Sequence, residues 1–316
     1  MKSVPMQSML RRLSMRQLTV FLEAARQMSF ARAAESLHLT QPAISMQIRQ
    51  LEDVVGLKLF ERIGKKLALT HAGELFRHHA ARVIGELQDA EQALGALKGL
   101  RGGRTTVGLV TTARYFAPKL LAHFAQSHPQ VDIHFISGNR ETLINALRDN
   151  EIDFAVMGRP PEKFDAHADV IAENPNVLVA HKSHPYAKAH EIDFHELRGE
   201  TFLMREPGSG TRLVMEAMFK QHLFTPKRIV MLGSNETVKQ GVMAGMGISL
   251  LSLHSLELEL RAREVSLLDV ASTPVLRNWY IVHMNSKKLA PAAAAFHQFL
   301  LAKTQPYLSK TFARYG

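Results

Sequence analysis

The sequence predicts an N-terminal all-α winged helix-turn-helix, a long linker helix and a C-terminal α/β domain of two lobes. Three observations predict it. Amphipathic helical periods joined by tight turns fill the segment from Arg16 to Leu51. From Ala72 to about Lys98 a proline-free stretch carries apolar residues in alternating steps of four and three. Beyond Gly102-Gly103, strand-like and helix-like segments alternate to near the C-terminus.

In the first helix, Leu18, Phe21, Leu22 and Ala25 recur at i, i+3, i+4, i+7. Ser29 caps a second helix whose apolar stripe is Ala33, Ala34 and Leu37. After the tight His38-Leu39-Thr40 connection, Pro42 suits the first turn of a third helix that Thr40 or Gln41 caps. Ile44, Ile48 and Leu51 form its buried side. Gln41, Ser45, Met46, Arg49 and Gln50 face away from that stripe, with no acidic residue before Glu52. Amides, a hydroxyl and a guanidinium are the groups that pair with base edges and phosphates in a major groove. Leu59–Arg62 and Leu67–Thr70 read as two strands around a basic turn, a wing whose Lys65 and Lys66 can neutralise backbone phosphates.

Charge agrees with this reading. The 316 residues carry 39 Lys+Arg against 29 Asp+Glu, a net charge of +10. Residues 1–70 hold +6 of it, which calls for a polyanionic partner of that segment. There is no cysteine, so disulfides and thiolate chemistry are excluded, as suits a reducing cytoplasm. The N-terminus lacks the apolar run of a signal peptide, and no window reaches the length of a membrane span. The expected location is cytoplasmic, without membrane contact.

The segments around Ser29–Ala34, Leu39–Ser45, Gln47-Ile48, Leu51-Glu52, Gly56, Leu59–Arg62 and Leu69–Gly73 resemble the DNA-binding domain of LysR-type transcription regulators. The resemblance implies that Gln41, Pro42, Ser45 and Arg49 lie at or near promoter DNA, and Arg32, Met46, Gln50, Lys65 and Lys66 are placed with them. It implies a periplasmic-binding-protein-like effector domain, and no catalytic function. As a regulator of transcription the protein is expected to engage RNA polymerase.

Between the domains, Phe76, Ala80, Val83, Leu87, Ala90, Leu94 and Leu97 form an a/d seam. Such a seam pairs with a second copy or packs on the chain's own body. A major-groove reader working on paired half-sites favours the dimer, and the family forms dimers and tetramers. The boundaries read are 14–71 for the winged helix-turn-helix, 72–99 for the linker and 104–316 for the effector domain. By analogy with the family, lobe I is about 104–177 and 273–305, and lobe II about 178–272.

In open α/β sheets, ligands collect beyond the carboxyl ends of strands, where helix N-termini offer free N–H groups. Thr111, Thr112 and Arg114 follow the first strand, Asn139 the second and Arg159 the third. In lobe II, Arg205, Glu206, Ser209 and Thr211 follow a strand and open a helix, as do Asn235 and Glu236 one unit later. Together they make a site for a small anionic effector. Tyr115–Leu120, Gly138–Thr142, Met157–Pro161, Arg205–Arg212, Leu232–Thr237 and Gly245–Leu251 resemble regulators of Calvin-cycle (RuBisCO) operons. That resemblance implies an activator of carbon-fixation genes answering to a phosphorylated metabolite or NADPH. A regulator of another operon with a carboxylate effector is the alternative.

No cofactor is expected. Gly208-Ser209-Gly210 lacks the glycine of a nucleophile elbow because Pro207 holds that place. No phosphate-binding glycine loop follows a strand. His78-His79 and His181 with His184 lack carboxylate or thiolate company, so no metal site is expected. A solute-binding module or enzyme with an accidental helix-turn-helix is the competing reading.

Overall fold

Helices α1 (Met15–Gln27), α2 (Phe30–Ser36) and α3 (Gln41–Val55) each begin at a hydroxyl that satisfies a free N–H of the first turn. Ser14 accepts from the Gln17 N–H and donates its own N–H to Gln17 Oε1, a reciprocal capping box. Ser29 and Thr40 cap the other two. The computed structural model describes residues 11–64, 66–97, 102–161 and 165–315. It divides into one unit reaching Leu94 that takes in Arg148–Glu151, and a second holding Gly95–Leu147 and the chain from Ile152 onward.

In the first unit the three helices bury Leu18, Phe21, Ala33, Ile44, Ile48 and Leu51 against one another. Strands β1 (Phe60–Ile63) and β2 (Lys66–Leu69) pair antiparallel and form the wing. A buried carboxylate ties this wing to α3. Glu52 accepts from the backbone N–H groups of Leu59 and Phe60 at 2.9 and 3.3 Å, and from Lys58 Nζ at 2.6 Å. Thr70 donates to the Lys58 carbonyl and accepts from the Gly73 N–H, starting the long helix α4 (His71–Leu97). At Gly73 a Cβ would meet the Leu59 carbonyl oxygen at 2.0 Å, so only glycine lets α4 leave the wing this closely.

The seam on α4 divides. Phe76 stacks edge-on against Phe21 at 5.1 Å and Ala80 is buried in the same core, so both are used by the chain's own domain. This corrects their expected place in a partner-facing seam. Val83, Leu87 and Leu94 stand 44%, 51% and 58% exposed, and Ala90 is exposed beside them. The Leu97 side chain lies outside the described residues.

The second unit is built on a sheet of order β10-β6-β11-β5-β3-β4, with β9 also on β6. Its strands are β3 (Gly103–Val110), β4 (Val131–Gly138), β5 (Phe154–Met157), β6 (Ala166–His181), β9 (Ser249–Ser252), β10 (Val265–Leu267) and β11 (Val275–Met284). β3 is parallel to β4 and β5, as the alternating pattern predicts. β11 is antiparallel to both β5 and β6, so the sheet is mixed. Residues 166–176, unassigned from sequence, form most of β6. They pair with β11, while Asn176–Val179 pair with β9 and Val179–His181 with β10. One strand thus serves both lobes.

Lobe I packs α5 (Ala117–Ser127), α6 (Arg140–Arg148) and α10 (Pro291–Phe312) on a core that includes Phe124, Leu143, Phe154 and Phe296. α10 runs past its expected end at Lys303 despite Pro306. An internal proline costs about 3 kcal/mol. Burial of Leu308 and Phe312, at about 2 kcal/mol each, offsets it. Lobe II holds the parallel pair β7 (Thr201–Arg205) and β8 (Arg228–Leu232), joined to β9 by a bridge from Phe202 to Ile248. Helices α7 (Gly210–Gln221), α8 (Asn235–Met243) and α9 (Glu257–Arg261) complete the unit. Among the described residues no helix is long and apolar enough to cross a membrane.

Removing the Glu52 carboxylate would strand two buried N–H groups. Glu52→Ala is expected to destabilise the first unit by about 2 kcal/mol. Urea denaturation of the full chain reads this as an earlier first transition; an unmoved transition would refute the anchoring role.

Candidate functional site

Two surfaces gather the polar residues singled out above, one on each unit. On α3, Gln41, Pro42, Arg49 and Gln50 are exposed, Ser45 is half-buried and Met46 is 52% exposed. Ile44 and Ile48 on the opposite side are buried, which fixes this face outward. Arg49 and Gln50 make no side-chain hydrogen bond among the described residues, so their donors are free. Arg32 is exposed and donates to the Gln27 carbonyl, which holds the guanidinium near the end of α1. Lys66 is exposed at the start of β2. Lys65 lies outside the described residues. Glu52, which ends the acid-free run in sequence, is buried and leaves the exposed face without its charge.

The second surface is a cavity within the second unit. Thr111, Thr112, Asn139, Arg159, Arg205, Ser209 and Thr211 all line it. Their placement follows the strand ends: β3, β4, β5 and β7 each deliver their C-terminal loop to the same space. α7 begins here at Ser209, whose side chain makes no capping hydrogen bond. The first N–H groups of that helix therefore lack a side-chain partner, and an anion is their natural acceptor.

Four predicted residues are not brought to the cavity wall. Arg114 is exposed elsewhere. Glu206 is taken by Arg205, which donates to it from Nε and Nη2 at 2.7 Å each. Burial raises the Glu206 pKa, but the Arg205 hydrogen bonds and the charges of Arg205 and Arg212 outweigh it and hold the group below the usual range. Asn235 donates to the Tyr115 hydroxyl, and that hydroxyl donates to Glu236 at 3.1 Å. Ser234 already caps α8 through the Thr237 N–H, so that helix start is satisfied internally. Lys239, 3% exposed, completes this cluster by pairing with Glu259 at 2.6 Å and Glu236 at 3.1 Å.

The cavity also recruits residues the sequence reading missed. Asn174 and Asn176 lie on β6, where residues 166–176 were not read as a strand; two buried asparagines at i, i+2 were the available signal. Ser252 donates to Asn174 Oδ1 at 2.7 Å. Arg277, opposite Asn174 in the β11 register, lines the cavity and makes no hydrogen bond or ion pair among the described residues. The Arg205 charge is matched by Glu206, so Arg277 brings cationic charge that no carboxylate has claimed. Trp279 forms an apolar wall, its indole N–H donating to His254 Nδ1 at 2.9 Å. Phe116 packs edge-on against the Trp279 ring at 5.2 Å.

Comparison with known proteins assigns each unit to a domain type. Residues 15–74 match the profile of the bacterial regulatory helix-turn-helix proteins of the lysR family, and residues 98–305 that of the LysR substrate binding domain. The chain is 56% identical over 307 residues to the HTH-type transcriptional regulator CfxR of Cupriavidus necator, with 97% of each chain covered. It is 45% identical over 292 residues to the RuBisCO operon transcriptional regulator of Allochromatium vinosum, covering 92% of this chain and 96% of that one. A solved structure of the Synechocystis CcmR regulatory domain in complex with 2-PG superposes with a TM-score of 0.61 at 37% identity. It covers 64% of this chain and 96% of that one.

Burial lowers the His254 pKa from 6.5 to about 4. Between those values the unfolded chain takes up a proton that the folded chain refuses, so stability falls as pH falls through this window. The loss at pH 4 is of order 3 kcal/mol. His254→Gln, which keeps an acceptor for Trp279, is expected to flatten this part of the stability profile. Chemical denaturation at pH 7 and pH 4.5 checks it: identical slopes in variant and wild type would remove His254 from the pH response.

Proposed function

This chain belongs to the LysR family of DNA-binding transcription regulators, and we propose that it activates a carbon-fixation operon in answer to a small anionic metabolite. The observation that carries the effector reading is one cavity lined by both the uncapped start of α7 and the unclaimed guanidinium of Arg277. A phosphate or carboxylate answers both needs, taking N–H hydrogen bonds from the helix and charge from the arginine. Asn139, Thr111 and Thr112 supply further donors, and Trp279 an apolar wall. The relatives named for RuBisCO operon regulation and the neighbour solved with 2-PG support a phosphorylated effector over a plain carboxylate. NADPH belongs in the same test.

We assign promoter contact to Gln41, Pro42, Ser45, Met46, Arg49 and Gln50 on α3, with Arg32 and the wing lysines on phosphates. The exposed stripe Val83, Leu87, Ala90 and Leu94 is the proposed dimer seam, and pairs of dimers give the tetramer. Contact with RNA polymerase completes an activator's partner set, in the cytoplasm where the promoter lies. Effector and operator binding are coupled, so each must change the affinity for the other by the same factor.

Labelled promoter DNA titrated with the protein at fixed salt tests this, with and without phosphoenolpyruvate, ribulose bisphosphate, 2-PG and NADPH. Selective binding altered by one of them is the expected result. Selective binding that ignores all four would discard the carbon-fixation reading and keep the regulator. Arg49→Ala is expected to weaken promoter binding about tenfold, in line with about 1–3 kcal/mol for an arginine on a base. It should leave the effector response intact. Arg277→Ala is expected to do the reverse, and an unaltered effector response in that variant would remove Arg277 from the site.

A further inference from the structure

Away from the cavity, lobe I gathers three histidines and an aspartate from three elements. His167 and Asp169 are two apart on β6 and so share one face of the sheet. The register sets His283 of β11 opposite His167, and Ile281 opposite Asp169, so His283 joins that face. The ligand atoms of His167, Asp169 and His283 lie within 4.8 Å of one another. α10 packs over this face and adds His297, whose Nε2 is 3.1 Å from Asp169 Oδ2. His167 Nε2 sits 3.0 Å from Asp169 Oδ1.

Two details separate this group from a chance cluster. His283 Nδ1 donates to the Met284 carbonyl at 3.0 Å. That bond puts the ring proton on Nδ1 and leaves the Nε2 lone pair for a ligand, the usual outer support of a metal-bound imidazole. His297 is 7% exposed, and its Nε2 has no hydrogen-bond partner among the described residues although a carboxylate oxygen is beside it.

We propose that His167, Asp169 and His283 form a site for a borderline divalent transition metal, with Zn2+ the type ion and His297 positioning the Asp169 carboxylate from α10. Two imidazoles and one carboxylate make a nitrogen–oxygen set that leaves the fourth tetrahedral position to water, which suits Zn2+, Co2+ or Ni2+. Mg2+ and Ca2+ ask for oxygen ligands and are disfavoured by the two rings. Zinc bonds of about 2.0–2.2 Å require ligand atoms roughly 3.4 Å apart. The exposed His167 side chain has the freedom to close that distance. The ion would staple β6 to β11, fixing the strand that both lobes share.

Chelator-stripped full-length protein is titrated with Co2+, followed by visible absorption, and with Zn2+ against a chromophoric chelator. The expected result is one equivalent bound, with the d–d bands of a tetrahedral site. His167→Gln, an exposed position that folding does not depend on, should weaken this equivalent at least tenfold, as should His283→Gln. His190→Gln, on an exposed histidine paired with Asp269, should not. Zn2+ should raise the melting temperature of the wild type and leave that of His167→Gln unmoved. Equal affinity in wild type and all variants, or uptake no tighter than in His167→Gln, would overturn the site. Variants that alter only acid stability, with no metal uptake by the wild type, would show that the cluster binds protons alone.

Discussion

The backbone of β6 is hydrogen-bonded along its first two-thirds to β11 and along its last third to β9 and β10, and the second unit hangs on that division. A strand alternates its side chains with period two, so a slip of one residue would turn every one of them to the opposite face. Asn174 and Asn176 stand where the pairing changes hands, and Ser252 of β9 is bonded to Asn174. The same register sets Arg277 opposite Asn174 and His283 opposite His167. The cavity and the histidine cluster are consequences of one pairing, read at two heights along one strand.

Charge in the cavity is arranged by cancellation. Arg205 is almost fully buried, and a guanidinium so placed needs a paired carboxylate. Glu206 meets that need from the next residue, which removes both from the account of net charge. The uncapped helix start at Ser209 and the side chain of Arg277 then add attraction for an anion beside Arg140 and Arg159, which also line the cavity. At the neighbouring helix start, the Ser234 hydroxyl turns back to the Thr237 N–H. Two helix starts that both open on a serine therefore differ in the donors they leave free.

A parallel economy governs the first unit. Glu52 lies on the reading helix, yet its carboxylate points inward to the wing's backbone. The wing gains a fixed origin, and Asp53 is left as the one exposed carboxylate of the helix. Gly73 then lets α4 start against Leu59, so reading helix, wing and linker share one small core around Phe21.

Much of this was legible in the residues themselves. Caps at Ser29 and Thr40, the buried sides of α1 and α3, the wing pair and the alternation of the second unit all depend on neighbours within a few positions. Local sterics and hydrogen bonds decide such features, so composition and spacing carry them. Seven of the eleven effector residues expected at strand ends also line the cavity, because the end of a strand is itself a local feature. Three things were not local. Whether Phe76 and Ala80 faced a partner or their own core depended on where Phe21 lay. Which arginine stayed unpaired depended on where each carboxylate was spent. The company of His167, Asp169, His283 and His297 depended on a strand register across more than a hundred residues of chain. Backbone pairing between distant segments sets such neighbours, and no period in the sequence records it.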